Sequence, residues 1–294
     1  MPNVYGVVGH PVKHSLSPAM FEAAFWEYDM DDEYRKFEIA PTELGAFLDG
    51  MKGKAEFALE DGTDASALYG LSVTIPHKEA IMAHVDSLDA HAQVIGAVNT
   101  IVKDDGSERK DGRVLLKGAN TDWVGAKRAI EEVMDVEGKD VVVLGAGGAA
   151  AAIVYACVQM KARVTILNRT LERAEAMAER FSGEDAPVVK AGLLTDLMNC
   201  RAHLLVHTTS VGMGTDAERS LVPVEFFKRG MVVFDIVYTP LETRLVREAK
   251  RHECRIIPGY KMLLYQGERQ FELWFRKKPR TEKMEEALLT HLQS

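Results

Sequence analysis

Gly145, Gly147 and Ala150 stand in the spacing Gly-x-Gly-x-x-Ala directly after four apolar β-formers, Val141 to Leu144. Between a strand and a helix, that spacing binds a dinucleotide. The first small residue makes the turn, the second lets the backbone approach a pyrophosphate, and the third lets helix and strand pack closely. The phosphates then rest on N–H groups at the helix start, which makes Gly145, Gly147, Gly148 and Ala149 the expected contacts. An Ala-rich run to Met160 supplies the helix, and Val164 to Leu167 supplies a second, parallel strand. Val141 to Met160 carries no charge and is long enough to span a bilayer, but its glycines and modest Ala-dominated hydropathy argue against insertion.

The end of the second strand selects the cofactor. An NAD site usually places Asp or Glu there to accept hydrogen bonds from the ribose hydroxyls. This chain has Asn168, Arg169 and Thr170, with Arg173 one turn into the next helix. A carboxylate would repel a 2′-phosphate, whereas guanidinium groups hold it by paired, charge-assisted hydrogen bonds. NADP is the expected cofactor, and these four residues its selectors. The plainer alternative makes Thr170 a helix cap and the arginines solvated surface charge.

A nucleotide unit supplies a hydride carrier and says nothing about substrate. The remaining candidates are Ser15, Ser17, Thr74, Lys78, Asn99, Thr121 and Asp122, which fall at strand ends in the first part of the chain. They are short polar groups with one cation and one anion, suited to a small, hydroxyl-rich ligand. Hydride exchange with an alcohol needs a partner for the hydroxyl proton. Lys78 is the leading candidate, and Asp122 is placed to pair with it; the plain readings are a solvated lysine and a helix cap. His10, His14, His77 and His207 lack metal-ligand spacing and show no Ser-His-Asp order, so solvated or supporting roles and no metal are expected.

Placing these residues requires alternating strands and helices. Strands are expected at Val4–Val8, Tyr34–Ile39, Leu71–Ile75, Ala97–Val102 and Val114–Lys117, the last two around a hairpin of composition DDGSERKDG. Helices are expected after Ser17, which can cap one begun by Pro18, over Thr42–Met51 and over His77–His84. Glu60 to Ser66 reads as an acidic surface loop. Thr121 and Asp122 open a helix to Met134. Further strands are expected near Val188 and at Leu204–Val206, Val232–Ile236 and Arg255–Ile257, with helices at Leu241–Arg251 and Tyr260–Arg276. The fold class is α/β with two domains. A substrate domain with a mostly parallel sheet spans 1–121 and is completed by helices within 259–294, a Rossmann-type NADP-binding domain spans 122–258, and a cleft that opens and closes lies between them.

Length and composition agree with this organisation. The 294 residues allow two cores, and 47% hydrophobic with 27% charged residues is ordinary for a globular enzyme. A net charge of −8 without a long basic tract disfavours nucleic acid. Cys157, Cys200 and Cys254 lack ligand spacing and fit reduced cytoplasmic thiols. The N-terminus lacks a basic segment followed by an apolar one, so no signal peptide is expected. The expected partners are small molecules, with no membrane association and a monomer or homodimer as the working unit.

Nine motifs in one order extend the reading: GHPVKHSLSP, SVTIPHKEA, GAVNT, GANTDWVG, GAGGAA, NRT with Arg173, TSVGM, DIVYTPLET and GYKMLLYQ. Through them the chain resembles shikimate dehydrogenases over nearly its whole length. The resemblance implies reversible reduction of 3-dehydroshikimate to shikimate with NADPH, on the way to chorismate and the aromatic amino acids. It implies Lys78 and Asp122 as the catalytic pair and Ser15 and Ser17 as the carboxylate site. Thr74, Asn99, Tyr238 and Gln266 would be further substrate contacts, with Met213 and Gly259 near the nicotinamide.

Some positions depart from the family pattern. Ser72 stands where many relatives have Asn, His207-Thr208 replaces a frequent Asn-Ala, and Thr239 sits where Asn often precedes Pro-Leu. The first bears on a substrate-side contact and the second on a contact near the cofactor. The stretch Glu60 to Ser66 is longer than in typical members. The alternatives are a quinate/shikimate dehydrogenase using NAD(P), often NAD, against which Ser17, Arg169 and Arg173 argue, and a non-catalytic NADP-binding sensor, which the intact Lys78 and Asp122 disfavour.

Overall fold

The structure, a computed structural model, describes residues 2–104, 114–183 and 187–293. In chain order the first elements are β1 (Val4–Gly9), α1 (Ser17–Glu27), β2 (Glu33–Glu38), α2 (Leu44–Met51), β3 (Leu68–Val73), α3 (His77–Ala80), β4 (Ser87–Leu88), α4 (Ala90–Ile95), β5 (Thr100–Asp104) and β6 (Leu115–Ala119). There follow α5 (Asp122–Glu131), β7 (Asp140–Leu144), α6 (Gly148–Gln159), β8 (Arg163–Asn168), α7 (Leu171–Phe181), β9 (Val189–Leu193), β10 (Leu204–His207), β11 (Val232–Asp235), α8 (Arg244–Arg251), β12 (Arg255–Pro258), α9 (Gly259–Phe275) and α10 (Thr281–Gln293).

Two compact units result. One comprises Met1–Thr121 with Gly267–Gln293 and the other Asp122–Gln266. The second change of unit therefore falls inside α9, between Gln266 and Gly267, and not at the Gly259 start of that helix.

The first unit is built on a six-stranded sheet of order β2-β1-β3-β5-β6-β4. β1 runs parallel to β2 and β3, β5 is antiparallel to β3 and β6, and β4 is parallel to β6. The sheet is mixed because β5 and β6 are sequential and pair as an antiparallel couple, while the earlier strands are joined through helices that return the chain to the same edge. The hairpin segment between them lies outside the described residues apart from Asp104. One face packs Phe37, Phe47, Leu48, Leu68, Leu71 and Ile101 under α2. Against α1 and α9 lies an aromatic layer, with Tyr34 stacked on Phe21 at 4.3 Å and Phe271 near Phe25 and Tyr28 at 6.2 and 5.9 Å. Gly70 is required here, since a Cβ would sit 2.5 Å from the Trp274 Nε1 that donates to the Ile101 carbonyl.

The second unit has a wholly parallel sheet of order β12-β11-β10-β7-β8-β9. The order reverses between β7 and β10, which in open α/β sheets marks the edge where ligands bind. α6 is buried over most of its length, which its small Ala side chains permit. The opposite face packs Leu144, Leu205, Phe226, Phe227, Val233 and Leu245.

Several sequence expectations are corrected. Ser17 does not cap α1: Leu16 holds the cap position, without a side-chain capping bond, and Ser17 is the first helical residue. α2 begins at Leu44, α5 ends at Glu131, and α8 begins at Arg244, where the Thr243 hydroxyl caps it by accepting from the Val246 N–H. The segment His77 to His84 is a short α-helix continued by a 3-10 turn. β4 and α4 were not expected from the sequence, whereas α10 lies within the C-terminal helices expected over 259–294. Glu60 to Ser66 is a largely exposed loop, as expected, that runs into a 3-10 helix at Ala65–Ala67 and is held to β2 by Arg35, which donates to Asp61 at 3.0 Å and to Thr63 at 2.7 Å.

Phe271 is fully buried in the aromatic layer. Phe271→Ala should destabilise the protein by about 3–5 kcal/mol, as large-to-small core changes do. Chemical denaturation of the variant beside the parent checks this, and an unchanged midpoint would show that the layer repacks.

Candidate functional site

In the first unit, strand direction gathers the polar candidates. The parallel β1 and β3 end at Gly9 and Val73, so the loop with Ser15 and Ser17 and the turn with Thr74 and Lys78 leave from one sheet edge. β5 runs the opposite way, which brings its first residues to the same edge, and β6 returns there at Ala119; Thr100 pairs with both Ser72 and Ala119. Asn99, Asn120 and Thr121 thereby join Lys78, whose backbone carbonyl accepts from the Val98 N–H at 2.7 Å.

Asn99 is 1% exposed, and its carboxamide ties this edge together. Its Nδ2 donates to the Thr121 hydroxyl at 2.9 Å, while its Oδ1 accepts from the Thr121 N–H at 2.7 Å and the Thr100 hydroxyl at 2.8 Å. Gln270 was not anticipated. Buried on α9, it donates to the Asn99 carbonyl at 2.9 Å and Thr100 Oγ1 at 3.0 Å, and accepts from the Ser72 hydroxyl at 2.7 Å. Tyr34 donates to Ser72 at 2.6 Å and also interacts with Ser17. Burial pushes the Tyr34 phenol well above its usual range, so it stays a donor. Ser15 donates to Ser17 Oγ at 3.2 Å, which sets the two hydroxyls side by side. The Ser72 departure therefore lies in a buried chain of hydrogen bonds behind the candidate residues.

Four α9 residues earlier, Gln266 is also buried and donates to the Leu263 carbonyl at 3.0 Å. The spacing i, i+4 puts both glutamines on one helix face, the signal that could have pointed to Gln270. Asp122, 4% exposed, is the first residue of α5 and follows Thr121 directly.

His77 is buried beside Lys78, which leaves the supporting and not the solvated of its two expected roles. Its Nε2 lies 2.8 Å from the Ile39 carbonyl, and Nδ1 is buried without a partner among the described residues. Burial lowers its pKa below the ordinary histidine value; the Ile39 bond opposes this and His10 adds to it.

In the second unit the parallel strands bring every cofactor candidate to their C-terminal edge. Gly145 follows β7 with φ +115°, and a Cβ there would lie 2.4 Å from Thr208 Oγ1, so only glycine fits. Gly147 is the cap of α6 and has no side chain to offer, leaving the N–H groups of Gly148 and Ala149 without a side-chain cap. A Cβ at Gly147 would meet open space. An uncapped helix start beside open space is the donor set a pyrophosphate requires.

β8 adjoins β7 in parallel, so Asn168, Arg169 and Thr170 end beside the glycine turn. Asn168 donates to the Thr170 carbonyl at 2.9 Å. Thr170 holds the cap position of α7 but makes no side-chain capping bond, and Arg169 and Arg173 are exposed. The residues fit a dinucleotide with a phosphate on the ribose.

Met213, 50% exposed, stands on the loop after β10, and half-buried Tyr238 follows β11. Gly259 packs tightly, since a Cβ would lie 2.6 Å from the Asp235 carbonyl oxygen. His207 is buried and bonded to Asp235 and Thr209, not solvated. Among the described residues no His, Cys, Asp or Glu group of three or more could hold a metal ion, and no helix is long and apolar enough to cross a membrane.

A dinucleotide-type parallel unit and a second α/β unit with a polar sheet edge define a two-domain, dinucleotide-dependent oxidoreductase class. Three family descriptions then match in chain order: "Shikimate dehydrogenase substrate binding domain" over 7–101, "Shikimate / quinate 5-dehydrogenase" over 126–237 and "Shikimate 5'-dehydrogenase C-terminal domain" over 259–289. The chain belongs to the shikimate dehydrogenase family. It is 41% identical to the shikimate dehydrogenase (NADP(+)) of Pyrococcus abyssi, with 98% of each chain covered. A crystal structure of a shikimate dehydrogenase in complex with NADP+ superposes with a TM-score of 0.86 at 34% identity, covering 100% of this chain and 96% of that one. The Thermus thermophilus enzyme in complex with NADP(H) and shikimate gives 0.83 at 34% identity, covering 99% of each.

The depressed His77 pKa predicts a pH dependence of stability. The unfolded chain binds a proton near the ordinary pKa of about 6.5, while the folded state resists it. The contribution is fully present above that value and is lost as pH falls through it towards the folded pKa. Denaturation midpoints between pH 8 and 5 should fall on acidification, and His77→Phe should flatten that slope. An equal slope in parent and variant would remove His77 as the cause.

Proposed function

We propose that this protein is an NADP-dependent shikimate dehydrogenase, reversibly reducing 3-dehydroshikimate to shikimate in the route to chorismate and the aromatic amino acids. The observation that carries the reading is the gathering of Ser15, Ser17, Thr74, Lys78, Asn99 and Thr121 at one sheet edge, in a chain whose parallel unit ends on a dinucleotide turn. On this reading the enzyme works in the cytoplasm, takes only small-molecule ligands, and acts as a monomer or homodimer.

NADPH, when bound, would supply the hydride for reduction of the substrate's carbonyl carbon. Lys78 as an ammonium stabilises the developing alkoxide and delivers the proton to its oxygen; in the reverse direction it takes that proton back. Asp122 fixes the Lys78 ammonium and the reacting hydroxyl, and solvent returns to Lys78 the proton it gives up. Ser15 and Ser17 hold the substrate carboxylate by hydroxyl donors, without an arginine and at modest strength per contact.

Thr74, Asn99, Tyr238 and Gln266 meet the ring hydroxyls and oxygens. The bonds that Asn99 Oδ1 accepts from the Thr100 hydroxyl and the Thr121 N–H orient its carboxamide before substrate arrives. Gly145, Gly147, Gly148 and Ala149 take the pyrophosphate. Asn168, Arg169, Thr170 and Arg173 take the 2′-phosphate, and Met213 and Gly259 border the nicotinamide.

Initial rates with shikimate and with quinate, each under NADP and NAD, test the assignment. A strong preference for shikimate with NADP is expected, and a preference for quinate with NAD would overturn it. Lys78→Ala should lower turnover on the order of 10²–10⁴-fold with a smaller change in the shikimate KM, because its contribution lies in the transition state. Near-normal turnover would remove it from the mechanism. Arg169→Ala should weaken NADP by about tenfold, the scale of one charge-assisted contact, and NAD much less. Equal losses for both would show that Arg169 does not read the phosphate.

A further inference from the structure

Behind the glycine turn of the parallel unit lies a chain of side chains that the reaction itself does not use. His207, 2% exposed, ends β10 and Asp235, 1% exposed, ends β11 beside it. His207 Nδ1 lies 2.9 Å from Asp235 Oδ1, and its Nε2 lies 2.5 Å from Thr209 Oγ1. The carboxylate also accepts from the Thr243 hydroxyl at 2.6 Å and the Val237 N–H at 3.1 Å. A buried carboxylate accepts only, so the Nδ1 facing it carries the hydrogen. In the neutral ring Nε2 is then the acceptor, and the Thr209 hydroxyl donates to it. The Thr209 oxygen accepts in turn from the Val211 N–H at 3.3 Å.

The far end of this chain is the loop that follows β10. Thr208 is tied to the Leu144 carbonyl by its N–H at 3.0 Å and its hydroxyl at 2.7 Å. At Gly145 a Cβ would meet Thr208 Oγ1 at 2.4 Å and Thr209 Cγ2 at 3.2 Å, so the loop abuts the dinucleotide turn. The same loop continues to Met213.

Imidazole is needed to span this gap. Asn at position 207 has polar atoms only at the distance of the imidazole Nδ1, so it can serve Asp235 but falls short of Thr209. We infer that His207 is a positioning residue that fixes the Thr208–Met213 loop for NADPH through the Thr209 hydroxyl, with Asp235 holding the ring in the required tautomer. The inference rests on the reading of this edge as the NADPH site.

The test is a double-mutant cycle of Thr209→Val, which removes only the hydroxyl, and His207→Asn, which keeps a donor for Asp235. NADPH affinity is read by calorimetric titration without substrate, alongside the KM values and unfolding midpoints. Each single variant should raise the NADPH Kd about tenfold, the scale of one buried hydrogen bond. The double variant should be no worse than either single. The KM for NADPH should rise more than turnover falls, with the shikimate KM little changed.

Parental NADPH affinity in both singles, or fully additive losses in the double, would overturn the inference. A lowered unfolding midpoint with an unchanged Kd would also overturn it, because it would assign the bond to stability alone. NADPH binding without turnover on shikimate in the parent would instead count against the proposed reaction and leave this cycle readable.

Discussion

A buried carboxamide must have its hydrogen bonds met, and meeting those of Asn99 organises the first unit. Its amide bonds Thr121 and Thr100, and its backbone carbonyl accepts from Gln270 and from the Val73 N–H. Asn99 thus links Thr100 at the start of β5 and Thr121 beyond β6 through its side chain, and helix α9 through its backbone carbonyl, at the edge where Lys78 and the paired serines emerge. An unmet partner in such a setting costs the full desolvation of that group, about 1–3 kcal/mol. The network therefore specifies geometry more sharply than apolar packing could, because an apolar contact tolerates small slides and a hydrogen-bonded amide does not.

The second unit solves a different problem, that of bringing backbone close to a ligand carrying negative charge. Its solution is the absence of side chains. At Gly145 the neighbouring Thr208 leaves no room for a Cβ, and at Gly147 the missing side chain leaves the start of α6 without an internal cap. A helix start with unmet donors is a liability in an empty protein and an asset when an anion binds there, since N–H groups and helix dipole act together. The arginines after β8 add charge where a phosphate would distinguish NADP from NAD.

The two recognition modes have different energetic characters. Arginines that read a phosphate work by charge and geometry, so their effect should discriminate strongly between cofactors. Hydroxyls contribute modestly one by one, so an edge that relied on them would draw selectivity from many placed together. This is why Tyr34, Ser72 and Gln270 matter although they stand behind the edge: they hold Ser17, Asn99 and Thr100 in fixed orientations.

The linear sequence by itself determined the α/β class, the dinucleotide turn, the run of residues after β8 and the family, because these depend on contiguous spacing and local backbone chemistry. It also placed most strands to within a few residues, since β-formers bounded by glycine and proline are local signals. The short α4 and β4 escaped because their stability comes from packing and not from periodicity. The buried positions of His77 and His207, and Gln270 as the residue bonded to the Asn99 carbonyl, were decided only by the tertiary structure. Gln270 lies 171 positions from Asn99 in the chain, and His207 reaches Asp235 across 28. Hydrogen bonds over such separations leave no trace in spacing; they exist only once strands from distant parts of the chain have been brought side by side.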